Sequence, residues 1–159
     1  EDAYGYGEAT IGLFGLLGAA GAVAAQFAGR IADAGWARVS TLGFFLALAA
    51  SWGVLALGSR SLAALVVGIV LLDLAVQGAH ISNQSEVYRL RPEARSRLTT
   101  AYMSVNFTGG VVGSALSAAV YEAGGWPAVC GVGAGFSALA LLLWATEARW
   151  PLRRMRHRS

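Results

Sequence analysis

Residues 62–82 read LAALVVGIVLLDLAVQGAHIS, an apolar run that contains a single carboxylate, Asp73. A helix needs about 20 residues to cross the ~30 Å hydrocarbon core of a bilayer, and this run has that length. Four further apolar stretches are also long enough for one crossing, at residues 9–28, 39–57, 98–121 and 127–146. The sequence therefore predicts an all-α, polytopic transmembrane bundle of five spanning helices over residues 1–147, followed by a basic tail at residues 148–159.

The composition excludes an ordinary soluble domain. Hydrophobic residues make up 56% of the chain and charged residues 13%, whereas soluble domains carry roughly 25% charged residues. A soluble protein of this size could not bury so much apolar surface in one core. The net charge of +3 comes from the loops and the tail, so anionic lipid headgroups are expected beside it rather than nucleic acid. The one cysteine, Cys130, cannot form a disulfide or a cysteine metal site within the chain.

The arginines predict how the helices thread through the membrane. When the five stretches alternate in direction, eleven arginines fall on one side and Arg60 alone falls on the other. Basic residues in short loops are retained in the cytoplasm. We therefore expect a multi-pass protein of the inner (plasma) membrane, with the amino end of this chain outside and the carboxy terminus in the cytoplasm. The eleven residues are Arg30, Arg38, Arg89, Arg91, Arg95, Arg97, Arg149, Arg153, Arg154, Arg156 and Arg158.

Two of the stretches carry polar residues at helical spacing. Asp73, Gln77, His80 and Gln84 follow one another at intervals of four, three and four, which places them on one helix face. Ionisable residues within a span usually face a bundle interior or a water-filled path. Residues 98–121 carry a matching stripe. The candidates for a proton-coupling or substrate path are Asp73, Gln77, His80, Asn106 and Tyr102; the alternative is that they bond a neighbouring helix or, for His80, water near the cytoplasmic end.

The loop after the first stretch, residues 29–38, reads GRIADAGWAR. Its glycines permit a tight reversal of the chain. Asp33 can sit at the start of the following helix, where the helix dipole favours negative charge, and can pair with Arg38 or with an arginine of the next inner loop. The residues that could form such a charge-paired turn are Gly29, Arg30, Asp33, Gly35 and Arg38.

This loop resembles the loop signature of the major facilitator superfamily, in the copy that joins helices eight and nine. The resemblance implies that it is a gating loop, and its five residues named above are the candidate gating loop. The junction ISNQSEVY (81–88) and LRPEARSRL (90–98) resembles the helix ten to eleven junction of bacterial efflux-type members. The pairs Tyr102-Met103, Asn106-Phe107 and Gly109-Gly110 extend this likeness. On that alignment the five stretches are helices eight to twelve of the carboxy-terminal half. The chain departs from the family at Ala34, where a basic residue is usual, and at Arg38, which stands where the family has a basic pair.

The second inner loop is rich in arginine. Its arginines are interpreted first as determinants of topology. In the alternative interpretation one of them, Arg97 for example, meets Asp33 in an inner gate, and Asp33→Asn would then slow transport without changing insertion or abundance. The four inner-loop basic residues are Arg89, Arg91, Arg95 and Arg97.

The resemblance implies a secondary active transporter in which two six-helix bundles rock about a midplane site. We expect this chain to be a fragment, without the amino-terminal half, of a larger transporter. That transporter would export a small organic molecule, such as a drug or a sugar, by proton-coupled alternating access. Its expected partners are the lipid bilayer, the missing amino-terminal half of the same transporter, the small-molecule substrate and protons, and no nucleic acid. No cofactor and no metal is expected.

Two other functions compete with transport. One is a small membrane scaffold or subunit whose polar stripes pack against a partner membrane protein. The other is an intramembrane enzyme that uses Asp73 and His80. The enzyme would need a second catalytic group at membrane depth, and the sequence offers no nucleophile with a placed base, no phosphate-binding loop and no metal-ligand spacing. The sequence therefore favours a protein that is not an enzyme.

Overall fold

The computed structural model describes residue 30 and residues 36–90 and 92–156. Over these ranges the regular structure is helical throughout: α1 (Ala37–Ala56), α2 (Leu62–Leu90) and α3 (Arg95–Arg156). Short 3₁₀ turns at Leu57–Ser59 and Pro92–Ala94 join the helices. The predicted all-α fold class is confirmed.

Three helical segments are long and apolar enough to cross a membrane. They are Arg38–Ser59, Leu62–Arg89 and Pro92–Glu147. The third has 56 residues, more than twice the ~20 residues that one crossing needs. The described helices thus provide length for four of the five predicted crossings, and the stretch at 9–28 lies outside the described residues.

Helix α3 is divided at Gly125, whose backbone has φ 63° and ψ −158°. This conformation is open to glycine and strained for any residue with a Cβ. Pro127 follows two residues later, where the missing N–H suits the first turn of a new helix. The chain reverses here, so α3 consists of a first arm (95–124) and a second arm (126–156). The break falls between the two stretches that the sequence separates at 121 and 127.

Helices α1 and α2 pack antiparallel through small residues of α2. Leu55 of α1 reaches the position where a Cβ on Gly68 would lie, and Phe44 does the same at Gly78. At the other end of the pair the hydroxyls of Ser40 and Ser82 lie 3.1 Å apart. Small residues allow helix backbones to approach closely in a membrane, which is the packing seen here.

The second arm of α3 packs antiparallel against α1. The indole N–H of Trp126 donates a 2.7 Å hydrogen bond to the carbonyl oxygen of Leu55 at the end of α1. Further along, Trp52 of α1 fills the space beside Gly133. This arrangement returns the second arm to the end of the bundle where α1 begins.

The alternation of direction places four of the described arginines at one end of the bundle. We call this the arginine-rich end; it carries Arg38, Arg89, Arg95 and Arg97. The opposite end carries Arg60 and the reversal at Gly125. The described helices therefore separate charge between two ends, as a positive-inside topology requires.

Candidate functional site

Helix α2 has a buried face and a polar face. Ala75 is 1% exposed and Ser82 is 0% exposed, and both lie on the side that packs against α1. At about 100° per residue, Asp73 and Gln77 point about 140° and 180° away from Gly68 on that buried side. The polar residues predicted from the sequence thus lie on the face of α2 turned away from α1.

His80 joins this polar face to the first arm of α3. The Asn106 amide N–H donates to His80 Nδ1 over 2.8 Å. The Tyr102 hydroxyl lies 3.3 Å from the same Nδ1 and donates to the His80 carbonyl oxygen over 3.2 Å. The two rings lie 5.2 Å apart between centroids, at a tilt of 44°. We call the set of Tyr102, Asn106 and His80 the His80 joint.

The structure does not bring Asp73 and Gln77 into this cluster. Asp73 precedes His80 by seven residues, which is about 10 Å along the helix axis. It is half-buried, and it forms no hydrogen bond or ion pair with any residue in the described part of the chain. Gln77 is exposed one turn further along the same face. Of the five candidate path residues, His80, Tyr102 and Asn106 therefore contact one another. Asp73 and Gln77 lie on the same face of α2 but outside this cluster.

Beyond the His80 joint, the first arm carries glycines whose backbone is not covered by a neighbouring helix in the described chain. A Cβ placed at Gly109 or Gly113 would meet no atom within 4 Å outside its own helix. Gly113 follows Asn106 by seven residues and therefore lies on nearly the same helix face, two turns away. The apolar residues around it are exposed as well, with Phe107 at 74% and Val111 at 70%.

A cavity of about 550 Å³ opens at the arginine-rich end, between α1, α2 and both arms of α3. Tyr102 belongs both to this cavity and to the His80 joint, since its ring lines the cavity while its hydroxyl bonds His80. The Arg38 guanidinium lies over the Trp144 ring, 5.9 Å from its centroid. The lining also carries two carboxylates and an amide, contributed by Glu86, Glu147 and Asn83.

Sequence reasoning missed this cavity. Its charged and aromatic residues come from four helical segments, and no spacing along the chain links them. The only local signal is the pair of Glu86 and Arg89, three residues apart on α2, whose side chains lie 3.5 Å from each other.

The candidate gating loop is described only in part. Gly29, Asp33 and Gly35 lie outside the described residues, so the predicted pairing of Asp33 stays a prediction. Arg30 is helical and exposed, and Arg38 is exposed at the start of α1.

The inner-loop arginines have different surroundings. The Arg95 guanidinium lies 5.0 Å from the centroid of the Tyr88 ring, and Tyr88 in turn accepts a 2.9 Å hydrogen bond from Thr99. Arg97 is exposed on the first turn of α3. Arg91 lies outside the described residues. Within the described ranges no cluster of histidine, cysteine or acidic residues has the spacing of a metal site.

Sequence comparison shows which known proteins this chain resembles. The chain is similar to the putative uncharacterized transporter YgaY of Escherichia coli (strain K12), with 47% identity over 141 residues that cover 89% of this chain and 36% of that protein. It is also similar to the probable transporter SCO4007 of Streptomyces coelicolor, with 35% identity over 153 residues that cover 96% of this chain and 34% of that protein. The chain thus spans about a third of the length of these curated relatives.

No solved structure matches the chain significantly. The sequence profile of the Major Facilitator Superfamily matches residues 1–154, nearly the whole chain. The resemblance found in the two inner loops is thereby confirmed. The chain belongs to the Major Facilitator Superfamily.

Proposed function

We propose that this chain is part of a secondary active transporter that exports a small organic molecule, such as a drug or a sugar, in exchange for protons. The observation that supports this most directly is the polar face of α2. In a chain of this family, that face carries a half-buried carboxylate, Asp73, and a histidine, His80, that is hydrogen-bonded to the first arm of α3. Such residues mark substrate and proton paths in membrane proteins.

Alternating access gives this arrangement a role. In transporters of this architecture the substrate site lies near the bilayer midplane, between two halves that rock against each other. The face with Asp73 and Gln77 would form one wall of that site, and the rest of the transporter would supply the facing wall. The His80 joint would hold α2 and the first arm of α3 together while the halves move.

The same proposal includes an orientation and a gate. We place the arginine-rich end on the cytoplasmic side of the inner membrane, because Arg38, Arg89, Arg95 and Arg97 lie there and Arg60 lies at the opposite end. Asp33 would then lie at the cytoplasmic end, just before the start of α1. Both Arg38 and Arg97 have exposed side chains at this end and could pair with it when the inner side closes.

The experiment uses the full-length transporter in proteoliposomes. Export of drug-like and sugar probes is measured with and without an imposed proton gradient. We expect the gradient to accelerate export of at least one probe and a protonophore to abolish the acceleration. An export rate that does not change with the proton gradient would contradict proton coupling. Absence of export for every probe would contradict the transport function.

The gate is tested in the same vesicles with Asp33→Asn. We expect slower export at unchanged abundance, because the variant keeps the shape of the side chain but loses the charge that pairs with arginine. Glu93→Gln is the matched control, since Glu93 is an exposed carboxylate in the 3₁₀ turn at the same end. Full activity of Asp33→Asn would remove the gating role.

A further inference from the structure

The cavity at the arginine-rich end lies apart from the carboxylate of the polar face. Glu86, which lines the cavity, follows Asp73 by thirteen residues, which is about 20 Å along α2. The volume of about 550 Å³ falls within the range of about 300–1,000 Å³ that is common for ligand pockets. Phe45, Val87 and Leu143 give the lining an apolar part. The cavity can therefore hold a small molecule with an apolar body.

Charges of both signs line this cavity without pairing with each other. The Arg38 guanidinium lies over the Trp144 ring and forms no ion pair with a carboxylate in the described part of the chain. Glu147 lies one helical turn after Trp144 and likewise forms no hydrogen bond or ion pair with any described residue. Glu86 contacts only Arg89, at 3.5 Å and in an exposed position. The cavity thus offers a cation and carboxylates as separate partners.

This arrangement selects for a ligand with two charges. A ligand with only an anionic group would meet two carboxylates beside Arg38, and one with only an ammonium group would meet the guanidinium. Like charges brought together in a binding site weaken affinity, whereas complementary charges favour it. A molecule that carries both an ammonium and an anionic group matches both signs of the lining.

Trp144 adds a hydrogen-bond donor beside Arg38. Its indole N–H is buried and has no acceptor among the described residues. A buried donor without a partner is unfavourable. A turn of the indole toward the cavity would allow the N–H to donate to an anionic group held by Arg38. The wall formed by Arg38 and Trp144 is therefore suited to the anionic end of a ligand.

We propose that this cavity binds a zwitterion with an apolar body, at a site separate from the proposed transport path. The anionic group lies at Arg38 and Trp144, and the ammonium group lies at Glu147 and Glu86. The apolar body packs against the aromatic and aliphatic part of the lining.

Such a zwitterion has two sources, a soluble molecule such as an apolar amino acid and a phospholipid whose headgroup carries an amine. The exposed side chains of Phe136, Leu139 and Leu143 lie at helical spacing along the second arm, leading away from the cavity. An acyl chain could lie along them. The two sources share the headgroup chemistry, so the experiment has an arm for each.

The first arm of the experiment measures calorimetric binding of three probes to the purified full-length transporter. The probes share a phenyl body and differ in charge: L-phenylalanine is a zwitterion, 2-phenylethylamine a cation and 3-phenylpropionate an anion. We expect L-phenylalanine to bind at least about tenfold more tightly than either of the other two, because it alone matches both signs of charge.

Two variants assign the ends of the ligand. Glu147→Gln should weaken binding of L-phenylalanine and 2-phenylethylamine by about tenfold and leave 3-phenylpropionate unchanged. Arg38→Gln should weaken binding of L-phenylalanine and 3-phenylpropionate by a similar factor and leave 2-phenylethylamine unchanged. A variant that merely disturbed the fold would weaken all three probes, so this crossed pattern is specific to charge recognition.

The matched controls remove a charge of the same sign outside the cavity. Glu93→Gln removes an exposed carboxylate in the 3₁₀ turn at the same end. Arg60→Gln removes an exposed guanidinium at the opposite end. Both should bind the three probes as the wild type does.

The second arm distinguishes the sources with lipid-depleted protein to which phosphatidylethanolamine or phosphatidylglycerol is returned. Displacement of L-phenylalanine by phosphatidylethanolamine alone would support the site and assign it to a lipid headgroup. Binding of L-phenylalanine that neither lipid displaces would support the site and assign it to a soluble zwitterion.

Three results would overturn the inference. They are failure of both L-phenylalanine and phosphatidylethanolamine to bind, equal binding of the three phenyl probes, and loss of L-phenylalanine binding in Asp73→Asn, which would move the binding to the polar face of α2. None of them depends on whether the protein transports a probe, so the inference and the proposed function can fail separately.

Discussion

The two arms of α3 have similar lengths and similar shares of glycine, but a described glycine receives a side chain of α1 only on the second arm. On the second arm, Gly133 receives the ring of Trp52, and Ser137 is 2% exposed with its hydroxyl bonded to the Gly133 carbonyl. On the first arm, Gly109 and Gly113 face open space. Glycine therefore allows a close contact with α1 at one position of the second arm, whereas Gly109 and Gly113 leave the surface of the first arm open.

This difference bears on what each arm is for. A small residue that admits a large aromatic ring stabilises the bundle through packing. A small residue that admits nothing contributes no packing, so its position is open to a ligand or to another part of the transporter. The predictions that follow test this contrast in order of decreasing effect.

The largest effect is expected from Gly133→Val. The added side chain would occupy the place of the Trp52 ring, and we expect a loss of about 3 kcal/mol, the upper part of the range for an overpacked core. The matched change on the first arm, Gly113→Val, should alter stability by less than about 0.5 kcal/mol. Thermal unfolding of the full-length protein in detergent measures both. Equal losses would show that the first arm is packed after all.

Gly125→Ala changes the boundary between the arms. An alanine would be strained at φ 63° and ψ −158°, and we expect a loss of about 2 kcal/mol. Gly110→Ala is the control, because Gly110 is helical and a Cβ there meets nothing within 4 Å. A Gly125→Ala variant as stable as its control in the same unfolding assay would refute the strained reversal.

The smallest effects come from single hydrogen bonds, one on each arm. Trp126→Phe removes the bond to the Leu55 carbonyl and should cost about 1 kcal/mol. Asn106→Leu removes the bond to His80, and polar contacts between membrane helices average about 0.6 kcal/mol. Trp36→Phe controls for the loss of an indole, since Trp36 is exposed. If Asn106→Leu were the more damaging of the two in thermal unfolding, the His80 joint would be the main attachment of the first arm to the bundle.

The sequence predicted the helices and their polar faces more completely than their contacts. Helical spacing alone placed Asp73, Gln77 and His80 on one face of α2, because the period of an α-helix is fixed. It could not reveal that Asn106 bonds His80 while Asp73 stays apart, since that depends on the register between two helices. Register is set by side-chain packing, such as Phe44 against Gly78, which no single-chain periodicity encodes.

The cavity at the arginine-rich end was also beyond what the sequence could predict. Arg38 and Trp144 are more than a hundred residues apart in sequence and meet only because α3 reverses at Gly125. Gly124, Gly125 and Pro127 lie at the boundary between the predicted stretches 98–121 and 127–146. The direction that the second arm takes after this break depends on the Trp126 bond to α1, which is a tertiary contact.

The first arm of α3 is held to the rest of the described chain in two regions: Thr99, Tyr102 and Asn106 bond Tyr88 and His80 of α2, and just past the far end of the arm Trp126 bonds Leu55. Between residues 106 and 124 it runs about 27 Å without a further hydrogen bond to the rest of the described chain. Helices in proteins curve with radii of about 60–100 Å, so a segment of this length bows by only about 1 Å. The distance between this stretch and α2 is therefore nearly preset, and widening it would require the hydrogen bonds at one end of the stretch to break.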